Sequence, residues 1–260
     1  MKPIPVDFHI GPLQIHTYGI GLAITFYFAY RYFDRRLRNN GFPNEWLSTS
    51  VLWIIGAAIV GARIVHVIAN IKYYSGHPID VFAIWHGGLS SFGGLAGAIP
   101  TAIYLMNKRA PEIPKLVAMD LVSPVLLAAW SMGRLLGPQL MYQGGGRPTN
   151  AWYGLQYAGQ SGYRIPVPLF QSAEDFIIFL VLLQLERKFL KMHAAPGTLL
   201  ISAVGLWGVE RFFDEFLWLA VPRLWDAVEV FSIILVVSSL VAMLLMAKRK
   251  QVGDRRELSV

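Results

Sequence analysis

An arginine placed in an apolar run of bilayer length constrains this chain more than any other feature. The run from Leu116 to Leu136 is long enough to cross a membrane, and Arg134 stands near its end. At the centre of a spanning helix an arginine costs roughly 2.5–3.5 kcal/mol on insertion scales, so such a residue is a functional hypothesis by default. Arg147 follows in the next segment, behind three consecutive glycines, Gly144 to Gly146. Glycine lets backbone N–H groups come close to a ligand because no Cβ intervenes. Arginines and bare amides at membrane depth point to an anionic lipid headgroup, most simply a phosphate.

The rest of the chain fits that setting. Of 260 residues 55% are hydrophobic and 15% charged, which is too apolar for an ordinary soluble domain and suits a polytopic membrane protein. Apolar runs recur at about 15–30, 47–69, 87–106, 116–136, 169–185, 198–218 and 228–247. They predict an all-α polytopic membrane protein of seven transmembrane helices. The segment 70–86 reads as a loop or interfacial helix, and 1–14 as a surface segment without a cleavable leader pattern. The net charge of +7 raises nucleic acid as a partner, but the basic residues cluster in short loops between apolar runs, which argues against it. Arg31, Arg35, Arg36 and Arg38 follow run one. Lys108, Arg109 and Lys115 follow run three; Arg187, Lys188 and Lys191 follow run five; Lys248, Arg249, Lys250, Arg255 and Arg256 follow run seven. The opposite side carries only Lys2, Lys72, Arg147, Arg164 and Arg223. The positive-inside rule then puts the N-terminus outside and the C-terminus in the cytoplasm. The chain reads as a single integral membrane domain over 1–260, with an outward-facing segment at about 137–168 and a basic cytoplasmic tail at 248–260. With no cysteine there is no disulfide, thiolate metal site or cysteine nucleophile.

Further polar groups interrupt the apolar runs. Run six holds Glu210, Arg211, Asp214 and Glu215 within six positions. Arg211 and Glu215, four apart, share a helix face, and Glu210 and Asp214 form a second pair on an adjacent one. Four ionisable groups there exceed what anchoring needs. In run two, Arg63 is followed three positions on by His66, and a buried carboxylate such as Asp120 is its expected partner. His86 opens a stretch, Gly87-Gly88-Leu89-Ser90 and then Gly93-Gly94, in which paired glycines permit tight helix packing or close approach of a lipid. For any single one of these glycines packing is the commoner role. Histidine titrates near neutrality and can act as a base. Tyr18 reads as an interface aromatic. No His/Asp/Glu cluster at metal-ligand spacing, nucleophile elbow or phosphate loop is visible, and no cofactor is expected.

Together these pieces resemble the prolipoprotein diacylglyceryl transferases. Tyr18-Gly19 is similar to that family's first-span Tyr-Gly, Gly61-Ala62-Arg63 to its second-span motif, and Gly87 to Ser90 with Gly93-Gly94 to its third-span glycines. Asp120 to Pro124 and Gly133-Arg134-Leu135 resemble the lead-in and start of its signature, and Gly146-Arg147-Pro148-Thr149 its close. Arg164, Pro166 and Leu169, then Pro196-Gly197 and Gly208 to Phe216, continue the match to about residue 220. The resemblance implies seven spans in a bacterial inner membrane. It implies transfer of a diacylglyceryl group from phosphatidylglycerol to the lipobox cysteine of a prolipoprotein, with release of glycerol phosphate and no metal. Arg134 and Arg211 would bind the phosphate, Arg147 would assist, Glu215 would orient Arg211, and Tyr18 would hydrogen-bond the donor. Arg63, Gly87, Gly88, Ser90, Gly93, Gly94 and Gly146 would line the substrates.

The sequence departs from that pattern at particular places. Phe92 stands where the family carries histidine or tyrosine. Pro138, Met141 and Gln143 replace expected asparagines and an acidic residue, and Gln171 replaces a glutamate. A missing general base typically costs about 10²–10⁴-fold. A thiol of unperturbed pKa about 8.5 is already partly ionised at neutral pH, and nearby arginines lower it further. Thiol alkylation therefore survives the loss better than attack by an alcohol, and His86, His66 and Glu215 are the candidate substitutes. Two alternatives stay open: a catalytically degenerate homologue that binds anionic lipid or lipoprotein precursors, and a related transferase with another lipid or acceptor.

Overall fold

Each expected apolar run is occupied by a long helix. The computed structural model describes residues 7–10, 13–83, 88–142, 144–218 and 226–257. In order the long helices are α1 (Thr17–Asn39), α2 (Glu45–Ala69), α4 (Ser91–Arg109), α5 (Lys115–Leu136), α7 (Val167–Lys191), α8 (Thr198–Trp218) and α9 (Ala227–Glu257). Between α2 and α4 the expected loop or interfacial helix is a short helix, α3 (Ile71–Gly76), followed by a 3-10 turn over Pro78–Phe82. A single turn, α6 (Pro138–Met141), follows α5. The protein is mostly helical but not wholly so. Antiparallel ribbons pair β1 (Asp7–Ile10) with β2 (Leu13–His16), and β3 (Leu155–Gln156) with β4 (Tyr163–Arg164). The second ribbon lies where no apolar run was expected, the first takes up the start of run one at Ile15 and His16, and each satisfies backbone polar groups locally.

Among the described residues, four helices are long and apolar enough to cross a membrane: α2, α5, α7 and α9 over Ala227–Lys248. Leu52, Trp53, Val60 and Ile64 of α2 are more than half exposed. In water such a face would be a liability, and against lipid tails it needs no cover. The chain divides into two compact units, residues 1–33 with 116–260, and residues 34–115.

In the first unit, Leu127 of α5, Ile178 and Leu182 of α7, and Leu199 and Ala203 of α8 form a buried cluster, with Phe179, Leu206 and Trp207 packed on it. Trp130 and Trp207 meet edge to face at 6.2 Å. A reciprocal serine pair ties α5 to α7. The Ser131 hydroxyl donates to the Ser172 carbonyl at 2.8 Å, and the Ser172 hydroxyl to the Ser131 carbonyl at 2.9 Å. Asp120 caps the start of α8, its carboxylate accepting from the Gly197 N–H at 2.6 Å and the Leu200 N–H at 2.8 Å. Those are two of the donors that every helix start leaves without an intrahelical partner. Asp120 is thus engaged as a cap. Asp120→Ala is expected to cost about 2–3 kcal/mol, since bonds to a charged group are worth about 1.5–3 kcal/mol each and are not additive. Faster hydrogen exchange in the first turn of α8, beside a lowered melting temperature in detergent, checks it.

The second unit is organised by α2 against α4. A Cβ on Gly61 would collide with the Gly93 carbonyl, one on Gly93 with the Gly61 carbonyl, and one on Gly97 with the Ala57 carbonyl. The backbones touch because three glycines remove what would hold them apart. Ser90 fixes the entry to α4 by donating its N–H to the Ala62 carbonyl at 3.0 Å and accepting from the Gly93 N–H at 3.4 Å. Arg109 closes the other end on the Thr49 and Ser50 hydroxyls, both at 2.9 Å.

Candidate active site

Five carboxylates and two guanidiniums converge where α5, α7 and α8 meet. Arg211 donates to Glu215 at 3.2 Å and to Asp214 at 3.4 Å, so the face-sharing expected from the i, i+4 spacing is present, with Asp214 added. Arg134 is half-buried over the Trp130 ring, its guanidinium carbon 5.8 Å from the ring centroid. Asp175, Glu210 and Asp214 attract Arg134 electrostatically, and Arg211 repels it. Two cations held this close repel each other unless anions lie between, and the same repulsion is relieved by any anion that bridges them.

Glu174, Glu210 and Asp214 present carboxylate oxygens all within 4.8 Å of one another. The sequence spacing shows no such cluster, because two of its members come from α8 and one from α7. Glu174 and Asp175 escaped the reading of the chain although the signal was available, two consecutive acidic residues in an apolar run. Gln171, fully buried, donates its amide N–H to Asp214 at 2.7 Å. Asp214 gives the departure from the family glutamate a physical reason. A carboxylate at 171 would face the Asp214 carboxylate, whereas the amide supplies the donor that Asp214 needs.

The segment after α6 is ordered against the end of α8. The Gly146 N–H donates to the Ile165 carbonyl at 2.9 Å and the Arg147 N–H to the Leu217 carbonyl at 3.0 Å. The Gly145 N–H goes to the Gln160 side chain at 2.8 Å. These amides are not bare, which corrects the expectation that the glycine run offers them to a ligand. The small residue is needed for packing instead, since a Cβ on Gly146 would strike the Leu217 carbonyl and Val167. Arg164 donates to the Gly146 carbonyl at 3.3 Å. Arg147 is half-buried, held at its backbone by α8 and by Ile165. Tyr157 lies beneath this segment, 3% exposed, its hydroxyl without a hydrogen-bond partner among the described residues. Burial pushes that hydroxyl up to about 12. Tyr157→Phe is therefore expected to leave stability unchanged or raise it by about 1 kcal/mol, because removing an unmet polar group costs nothing in contacts; a thermal melt decides it.

In the other unit Arg63 binds main-chain carbonyls: Asp80 at 2.5 Å, Val81 at 2.9 Å and Gly88 at 3.0 Å. It pins the segment after the 3-10 turn and lies over the Tyr74 ring at 5.3 Å. His66 meets Tyr74 edge to face at 6.0 Å. Arg63, His66, Tyr73, Tyr74, Asp80 and Gly88 line a cavity of about 300 Å³. Gly88 has φ +74°, and a Cβ there would press on His66 and Arg63. Of the residues read as lining substrate, Ser90 is the α4 cap and Gly93 a packing contact, whereas a Cβ on Gly94 would meet neighbours only at 3.7 Å. Phe92 falls in α4 with its side chain outside the described residues, and His86, Gly87 and Gln143 also lie outside them. Tyr18, in the first turn of α1, stacks on His16 at 5.1 Å.

The sequence model of prolipoprotein diacylglyceryl transferase matches residues 5–247. A phosphatidylglycerol–prolipoprotein diacylglyceryl transferase of Tolumonas auensis is 34% identical over 188 residues, 70% of this chain and 71% of that protein. Proteins of the same name from Fervidobacterium nodosum and Halalkalibacterium halodurans are 33% and 30% identical, over 88% and 90% of this chain and 80% and 83% of their own.

Proposed function

The chain belongs to the prolipoprotein diacylglyceryl transferase family, and from that premise we propose how its own residues carry the reaction. It is a membrane enzyme that transfers a diacylglyceryl group from phosphatidylglycerol to prolipoprotein. The acceptor atom is the lipobox cysteine sulfur. The thiolate attacks the diacylglyceryl carbon that bears the phosphate ester, a thioether C–S bond forms, and the C–O bond breaks. Glycerol phosphate leaves with the electron pair. His86 takes the thiol proton.

Arg134 and Arg211 hold the donor phosphate and stabilise the charge that grows on the departing glycerol phosphate. Such stabilisation is often the largest single catalytic contribution. The 3.2 Å pair between Arg211 and Glu215 supports an orienting role for Glu215. Arg147 assists from the outward segment, with Gly146 seating it, and Tyr18 bonds the donor headgroup. Arg63, with Gly87, Gly88, Ser90, Gly93 and Gly94, shapes the substrate side of its own unit. Seven spans are read from the apolar runs and an outside N-terminus from the distribution of basic residues, and an inner-membrane location is what membership of the family implies. The observation that carries the reading is the pair of guanidiniums gathered among buried carboxylates in an apolar bundle. The test is a purified-enzyme assay with phosphatidylglycerol and a lipobox peptide, beside the same peptide with cysteine changed to serine. A mass gain on the cysteine peptide alone is expected. Lipid that binds and exchanges without any mass gain would instead mark a binding homologue.

A further inference from the structure

Among the described residues, six buried side-chain oxygens in the α5–α7–α8 cluster have no hydrogen-bond donor: Gln171 Oε1, Glu174 Oε2, and both oxygens of Asp175 and of Glu210. Asp175 is 0% exposed and Glu210 7%, the two interact electrostatically, and Glu210 brings a carboxylate oxygen within 4.8 Å of those of Glu174 and Asp214. A buried carboxylate without a donor is among the most expensive arrangements a protein can hold. Two that face each other relieve the cost by holding a proton between them, so that one donates to the other.

The charge balance points the same way. Asp214 is held by Gln171 and Arg211, and Glu215 by Arg211. Asp226, just before α9, and Glu229 within it also act on Glu215, and α5 contributes Arg134 as the second cation. Where α1 packs on α7 it brings Tyr32 against Phe179. With every carboxyl ionised, Glu174, Asp175, Glu210, Asp214 and Glu215 outnumber Arg134 and Arg211 by five to two, and each proton held among them lessens the repulsion that a phosphate meets.

We propose that Asp175 and Glu210 hold a shared proton, and that binding of the anionic lipid at Arg134 and Arg211 is thereby coupled to protonation of this pair. The inference rests on the phosphate-binding reading of the two arginines. Releasing the proton adds a negative charge beside Arg134, so affinity for the anion is high at low pH and falls as pH rises. The donor's phosphodiester keeps its single charge throughout, so the slope belongs to the protein.

The experiment measures binding of phosphatidylglycerol to the full-length protein in phosphatidylcholine nanodiscs from about pH 5 to about pH 8. Affinity is expected to weaken toward the alkaline end by up to about tenfold per pH unit, the limit for one coupled proton. Asp175→Asn and Glu210→Gln are expected to flatten that slope while keeping the affinity of the protonated form. An infrared carbonyl band of a protonated carboxylic acid should be present in the unmodified protein at neutral pH and absent in the double variant. Absence of the band from the unmodified protein at neutral pH overturns the proposal whether or not a variant folds. Binding that depends on Arg211 but is flat with pH overturns the coupling and leaves the phosphate site standing. Binding that requires added magnesium or calcium overturns it in favour of a cation at these carboxylates. Absence of binding at every pH overturns the phosphate reading and the coupling together.

Discussion

Arg211→Ala is expected to lower diacylglyceryl transfer by about 10²–10³-fold, the range seen when one donor that stabilises developing charge is removed from an active site. The effect has two parts. The phosphate loses a charge-assisted hydrogen bond, roughly twice as strong as a neutral one. Asp214 and Glu215, now bonded to Arg211 at 3.4 and 3.2 Å, lose their shared cation and confront the phosphate directly. Arg211→Lys keeps the charge but cannot reach both carboxylates with a planar fork, so an intermediate loss is expected. Arg134→Ala should fall in the same range. Its neighbours differ, however: Trp130 and the Asp175 field remain, so its loss should weaken lipid binding along with turnover. The measurement is the mass of the lipobox peptide over time with each purified variant. Full activity of either alanine variant would remove that arginine from the reaction.

Gly93→Leu is expected to destabilise the protein by about 3 kcal/mol or more, at the upper end of what overpacking costs. A Cβ at this position already meets the Gly61 carbonyl, Val65 at 2.8 Å and Ala62 at 2.9 Å, so α2 and α4 must separate to admit a side chain. The backbone contact at Gly61 and that between Gly97 and Ala57 would be lost with it. The adjacent Gly94→Ala is the control: its Cβ meets nothing closer than 3.7 Å, so a change within about ±0.5 kcal/mol is expected, as for a substitution away from special features. Yield after detergent extraction and the melting temperature separate the two. If Gly93→Leu accumulates and melts like the unmodified protein, the helices do not rely on that contact.

Several parts of the site were legible in the residues themselves. Helix positions follow from apolar runs of bilayer length, and each run holds a helix, although α1 and α9 continue to Asn39 and Glu257, past the expected ends at 30 and 247. Arg211 and Glu215 could be paired from their spacing because i and i+4 share a helix face whatever surrounds them. Arg134 stood out because a charge in an apolar run is expensive. Other contacts escape the sequence for a common reason. Arg63 gathers main-chain carbonyls around the 3-10 turn, and Asp120 caps α8 across 77 positions of sequence. The glycine run before Arg147 reads alone as open amides, and only the partners brought by Gln160 and Ile165 show them occupied.

What the sequence by itself determined is therefore local: which segments are helical, which face of α8 carries the ion pair, and that cations sit in apolar surroundings. It also carried the family, since motifs in order survive without any knowledge of contacts. Only the tertiary structure decided that Gln171 answers Asp214, that Asp175 interacts with Glu210, and that Gly61 and Gly93 exist for each other. Hydrophobicity and helical period act between near neighbours in the chain, so they can be read along it. A hydrogen bond or a collision between two helices depends on their rotation and separation, which the packing of the whole unit sets.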